Sequence, residues 1–176
     1  MPHNQRKNVV FYPCCAVDYE FPTQLLGTQD NQFIFCDLRR YPHWHAFKKL
    51  HPSSKFLKVD AWEAIEHLSV VNTLFYRRDG MSEGGSGIRV LSNEYLSLLL
   101  EKFPASGGSI ITDGSNAFGE RLEEMLSGRL VVKNFRISPI TYHSDPNDLY
   151  EFEVLPNERC RFYADWINFY VNHFSF

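Results

Sequence analysis

The chain lacks most of the marks that assign a protein to a class at sight. No hydrophobic run approaches the length of a membrane span, so no membrane partner is expected. Residues Met1 to Lys7 are polar and the apolar run after them is short. No signal peptide is therefore expected, and the cytoplasm is the expected location. The four cysteines (Cys14, Cys15, Cys36 and Cys160) show no Cys-x2-Cys spacing of a zinc site. They fit a reducing compartment, and no metal is expected. No P-loop is present, because no lysine followed by serine or threonine succeeds the glycine run 84–87. No Gly-x-Ser-x-Gly nucleophile elbow occurs. Charge of one sign is also scarce. The formal net charge is −3, which argues against a protein that coats nucleic acid, although a local basic patch stays open.

What is present is a globular composition. The 176 residues suit one domain over 1–176, with 44% hydrophobic and 22% charged residues. There is no internal repeat, low-complexity stretch or dividing linker. Aromatic residues make up 15%, which predicts a core rich in Phe and Tyr.

Short apolar runs alternate with helical patterns. Asn8–Tyr12 is a near-continuous apolar run that reads as a central strand. Gln32–Cys36, Lys55–Val59, Asn72–Tyr76 and Ser109–Thr112 read as further strands. Between them, Pro22 to Leu26 predicts a short helix. The spacing of Trp44, Phe47 and Leu50 predicts a second helix, and Trp62, Ile65 and Leu68 a third. Ile88–Phe103 reads largely as a fourth, most firmly over Glu94–Phe103, and Gly119–Leu126 as another. Arg129–Ile137 and Asp148–Leu155 alternate around a turn and read as an antiparallel pair. Residues 159–174 read as a terminal helix. Five strand–helix alternations predict an α/β Rossmann-like three-layer sandwich, mostly parallel and seven-stranded, with a C-terminal antiparallel hairpin.

The segment Arg77–Gly87 carries four glycines, two arginines and two carboxylates directly after a strand. In open α/β sheets ligands bind beyond the carboxyl ends of the strands. Arg77 and Arg78 point to opposite faces, so at most one of them should enter the crevice. Asp79 and Glu83 are candidate general bases. Asp113, which opens a run with Gly114, Ser115 and Asn116, lies on the same rim.

The order of elements resembles the class I S-adenosylmethionine-dependent methyltransferases. Lys58-Val59-Asp60-Ala61 resembles the family's adenine-contacting segment after strand three. Phe103-Pro104-Ala105-Ser106-Gly107-Gly108 resembles its turn before strand five. Asp37 falls where the family places an acid for the ribose hydroxyls. The resemblance implies that S-adenosylmethionine lies against Tyr12, Pro13, Cys14, Asp18, Asp37, Asp60 and Ala61. It implies that Arg78, Asp79, Glu83 and Asp113 face the acceptor. Two departures stand out. The first loop, Tyr12 to Tyr19, has no glycine, which predicts that Cys14 and Cys15 crowd the methionine end. The motif after strand four is replaced by Arg77-Arg78-Asp79-Gly80, which argues against methylation of base amino groups.

Plainer roles stand beside these. Asp37 suits a turn. Asp60 suits a helix cap, with Glu63 completing a capping box. Cys14, Cys15 and Cys36 suit small apolar filler, with His43 or His45 needed for any metal role. Three functions stay open at this point: methyl transfer to a small or unusual acceptor; a catalytically inactive binding or interaction protein of the same fold; and a nucleotide- or phosphate-binding protein using the loop Arg77–Gly87. A small-molecule ligand is expected in the first and third, a protein partner in the second.

Overall fold

The computed structural model describes residues 7–77, 88, 90–112, 131–138 and 150–161, the last two stretches by their backbone. Strand β1 (Asn8–Pro13) is followed by α1 (Glu20–Leu26), β2 (Asn31–Cys36), α2 (His43–Leu50), β3 (Lys55–Leu57), α3 (Ala61–Glu66), β4 (Thr73–Tyr76), α4 (Asn93–Leu100) and β5 (Gly108–Thr112). The five strands are parallel, in the order β3-β2-β1-β4-β5. Beyond β5 the sheet continues with β7 (Tyr150–Arg161) and β6 (Val131–Ser138), which pair antiparallel. The alternation, described through β5, thus folds as the α/β Rossmann-like sheet that it predicts.

The chain moves outward from β1 through β2 to β3, then returns to pair β4 with the other side of β1. The carboxyl ends of β1 and β4 therefore form the switch point where such sheets open a crevice. Asn72 secures the opposite ends. Its side-chain oxygen accepts from the Val9 N–H, its N–H donates to the Val9 carbonyl, and its carbonyl accepts from the Ser109 N–H. Gly108 is required there, since a Cβ would strike that carbonyl and come within 2.8 Å of the Phe103 ring.

Alternate residues of each strand feed two cores. Phe11, Cys36, Leu74, Tyr76 and Ile110 pack with α3 and α4; Val10, Tyr12, Phe33, Phe35, Phe75 and Ile111 pack with α1 and α2.

Several boundaries differ from the sequence pattern. Strand β3 ends at Leu57, and α4 begins only at Asn93. Ser92 stops it, with its hydroxyl accepting from the Tyr95 N–H, an N-cap that the apolar pattern hides. Of the stripe Trp44, Phe47, Leu50, the first two are buried but Leu50 is 75% exposed. Two steps of three residues turn the helix some 120° away from Trp44. In α3 the buried residues are Ala61, Ala64 and Ile65. Trp62 is 39% exposed and sets its ring edge-on to Tyr95. Residues 159–161 belong to β7, so no helix begins at 159. The rest of that expected helix, and the one over Gly119–Leu126, lie outside the described residues.

Candidate functional site

The described rim is built from the loops that leave β1, β2 and β3, and from Arg77 directly after β4. After Pro13 the chain bends sharply, with positive φ at Cys14 (56°) and Ala16 (47°). Neither residue is glycine, so each turn costs about 1–2 kcal/mol of left-handed strain. Strain of this kind persists where surrounding contacts over-determine it. Asp37, just past β2, supplies one such contact. Its Oδ2 accepts from the Ala16 N–H at 2.9 Å and its Oδ1 from the Arg39 N–H at 3.0 Å. The Cys15 N–H donates to the Cys36 carbonyl at 3.1 Å.

The two loop thiols differ: Cys15 is buried, whereas Cys14 is half-buried. Cys15 is buried in the α1–α2 core, and Cys14 packs partly against the α3–α4 core that also holds Cys36. Crowding of the crevice by both sulfurs is therefore not what the structure shows. Burial pushes the thiols of Cys15 and Cys36 up, with neighbouring acidic groups adding to the shift. They are protonated, inert fillers. No cluster of three or more His, Cys, Asp or Glu among the described residues is arranged to hold a metal.

The switch point holds an ion pair. Arg77 follows β4, is only 3% exposed, and grips Asp18 from two nitrogens: Nε to Oδ2 at 2.6 Å and Nη2 to Oδ1 at 3.0 Å. Its guanidinium lies 3.5 Å from the centre of the Phe21 ring, a cation–π contact. The Tyr12 hydroxyl is 3.0 Å from Asp18 Oδ2 and 3.1 Å from the Arg77 carbonyl, either of which can accept its proton. Burial, then the Asp18 charge, keep this phenol well above its ordinary range. Tyr12 is thus a buried scaffold for the pair. The sequence marks Asp18 and Arg77 separately, but 59 residues separate them. Only strand parity hints at the contact, since Arg77 follows Phe75 on the α1–α2 side. Phe21 carries no signal in the sequence.

Asp60 caps α3. Its Oδ1 accepts from the Trp62 N–H at 2.7 Å and more weakly from the Glu63 N–H at 3.3 Å. Glu63 does not reach back to close the capping box; it lies 3.7 Å from His67. Ala61 is buried at the start of the helix, and its carbonyl accepts from the Tyr95 hydroxyl at 3.0 Å. A cleft of about 430 Å³ opens beside the ion pair, between the starts of α1 and α2, and shares Asp18 and Phe21 with it. Arg78, Asp79, Glu83 and Asp113, and the glycine run 84–87, lie outside the described residues.

No family model matches the chain, and no curated protein matches it. Solved structures do. The antibiotic-resistance methyltransferase Kmr superposes with a TM-score of 0.52 at 18% identity, over 88% of this chain and 89% of that one. An rRNA methylase from Streptococcus thermophilus gives 0.54 at 11%, over 86% and 89%. SMU.1697c of Streptococcus mutans, solved in complex with SAH, gives 0.54 at 11%, over 86% and 91%. The chain has the Rossmann-like fold of class I S-adenosylmethionine-dependent methyltransferases. Among the described residues no helix is long and apolar enough to cross a membrane.

The two sides of the rim differ in what their carboxylates hold. On the β2–β3 side a carboxylate, Asp37, stands beside a loop whose backbone keeps two left-handed turns without glycine. On the β1–β4 side, Asp18 is already taken by Arg77 and Tyr12.

Proposed function

We propose that this protein is a methyltransferase-like protein that binds S-adenosylmethionine in the crevice beyond β1, β2 and β3, and acts on a small or unusual acceptor. The observation that carries this reading is the strained loop at Cys14 and Ala16, pinned by Asp37. A fold gains nothing in stability from two left-handed non-glycine residues. Retaining them keeps the backbone curved as a ligand cradle. Asp37 would accept from a ribose hydroxyl through lone pairs that its two amide contacts leave over. Asp60 and Ala61 would bound the adenine, and Tyr12, Pro13, Cys14 and Asp18 the remainder of the cofactor. When bound, the cofactor supplies the methyl group. The chain's own contribution is alignment of the two reactants. Arg78, Asp79, Glu83 and Asp113 are proposed to face the acceptor, with Glu83 as base where the acceptor must lose a proton.

Thermal unfolding with S-adenosylmethionine, S-adenosylhomocysteine and a nucleotide panel tests the reading. Ligand at one hundred times its dissociation constant adds about 2.7 kcal/mol, and Asp37→Asn should remove most of that shift. Glu83→Gln should abolish turnover at unchanged Tm. The Arg77–Asp18 pair favours a second reading, a catalytically inactive binding protein, because it occupies the carboxylate nearest the switch point. Absence of a shift with every ligand selects that alternative. A shift with nucleotides alone selects phosphate-compound binding.

A further inference from the structure

Residues 38–59 contain no aspartate or glutamate. The stretch holds Arg39, Arg40, Lys48, Lys49, Lys55 and Lys58, six of the chain's 18 Lys and Arg, and three of its seven histidines. The net charge of −3 therefore conceals a segregation, with a basic block of +6 set against −9 over the rest of the chain. The fold gathers this block on one edge of the sheet. Arg39 and Arg40 lie in the loop after β2, Lys48 and Lys49 end α2, Lys55 opens β3, and Lys58 follows it. Strand β3 is the sheet's terminal strand.

The Lys48 ammonium donates to the Pro52 and Ser54 carbonyls and so secures the turn. The other five make no ion pair and no side-chain hydrogen bond among the described residues, and all five are exposed. Local effects account for part of the pattern. Lysines at a helix C-terminus complement its dipole, and a lysine on an edge strand discourages sheet-to-sheet pairing. Neither explains Arg39, Arg40 and Lys58, nor the lack of any acid.

We propose that the β2–α2–β3 edge is a docking surface for the phosphodiester backbone of nucleic acid. The charges extend along an eight-residue helix, about 12 Å, which exceeds the reach of a single phosphate. Planar rings interleave with them: Tyr41, His43 and His45 lie between the arginines and Lys48, and rings of this type stack on unpaired bases. A lipid surface fits less well. The apolar residues of α2, Trp44 and Phe47, face the core, and its exposed side offers one large apolar residue, Leu50.

Fluorescence anisotropy with end-labelled 20-nucleotide RNA, single-stranded DNA and duplex RNA tests this. Four phosphate contacts predict roughly 50-fold weaker single-strand binding at 200 mM than at 50 mM salt. Replacing Arg39, Arg40, Lys49 and Lys55 together by Gln should weaken binding at least tenfold at 50 mM, with circular dichroism unchanged. The single changes Arg40→Gln and Lys55→Gln should each weaken it and keep the test open should the fourfold variant misfold. Lys102→Gln, just past α4, should stay within twofold. The preferred polymer among the three identifies the partner. Absence of binding at 50 mM overturns the proposal, as does indifference to these changes. Equal or tighter binding to poly-glutamate or to phosphatidylserine vesicles overturns it too.

Discussion

On the α1–α2 face of the sheet the buried side chains are mostly rings: Tyr12, Tyr19, Phe33, Phe35, Trp44, Phe47 and Phe75. On the α3–α4 face they are mostly aliphatic, with Leu68, Leu74, Leu91, Leu96, Leu99 and Leu100 filling the space. Rings carry a directional preference that leucines lack. Tyr19 meets Phe35, Trp44 and Phe56 edge-on, and Phe35 also meets Phe47 at 88°. The ring face is also the one that supports Tyr12 and Phe21 and, through them, the Arg77–Asp18 pair. The face with the more directional packing therefore underlies the more polar part of the rim.

The largest expected effect breaks the ring face at its centre. Phe35→Ala should cost about 4–5 kcal/mol and Leu96→Ala, deep in the other core, about 3 kcal/mol. Urea unfolding of both variants checks the order; equal losses would mean that ring geometry adds nothing beyond volume. Next comes the ion pair. Asp18→Ala leaves the Arg77 cation buried without its carboxylate and should cost about 3 kcal/mol. Arg77→Met should cost less, because the Asp18 side chain keeps 21% exposure to water.

A third test uses alkaline pH, since each face holds one buried thiol, Cys15 with the rings and Cys36 with the leucines. Both are held above their ordinary value of 9.0 by burial. Above pH 9 the unfolded chain releases these protons while the folded chain retains them. Stability is therefore complete below pH 9 and falls above it, by up to about 1.4 kcal/mol per pH unit for each thiol. Cys15→Ser and Cys36→Ser should each flatten part of that decline, measured by urea unfolding from pH 8 to 10. An unchanged slope in either variant would exempt that thiol. The smallest effect is a gain. Ala16→Gly relieves a left-handed turn and should raise stability by about 0.5–1 kcal/mol; a loss would show that Ala16 is not strained.

Much of the fold was legible because parallel strands buried on both faces read as apolar runs. Asn8–Tyr12, Gln32–Cys36, Asn72–Tyr76 and Ser109–Thr112 fall within a residue or two of β1, β2, β4 and β5. Helix edges were less legible. Leu50 and Trp62 satisfy a three-residue spacing yet drift off the buried face, and Ser92 caps α4 from within a stretch that reads as helix. For the candidate site, the strand-end acids could be located but not their partners. Asp37 holding the Ala16 amide and Asp18 gripping Arg77 are contacts across 21 and 59 residues, and no local pattern encodes them. The loop thiols misled for a related reason. Their side-chain directions follow from the positive φ at Cys14 and Ala16, which the absence of glycine argues against.

Asp37 has one further consequence. One of its oxygens holds the loop after β1 and the other the amide of Arg39, so a single carboxylate ties the crevice to the basic edge. A ligand that turns this carboxylate must release or reset both amides together. If crevice occupancy alters the edge by some factor, nucleic acid on the edge must alter crevice affinity by the same factor.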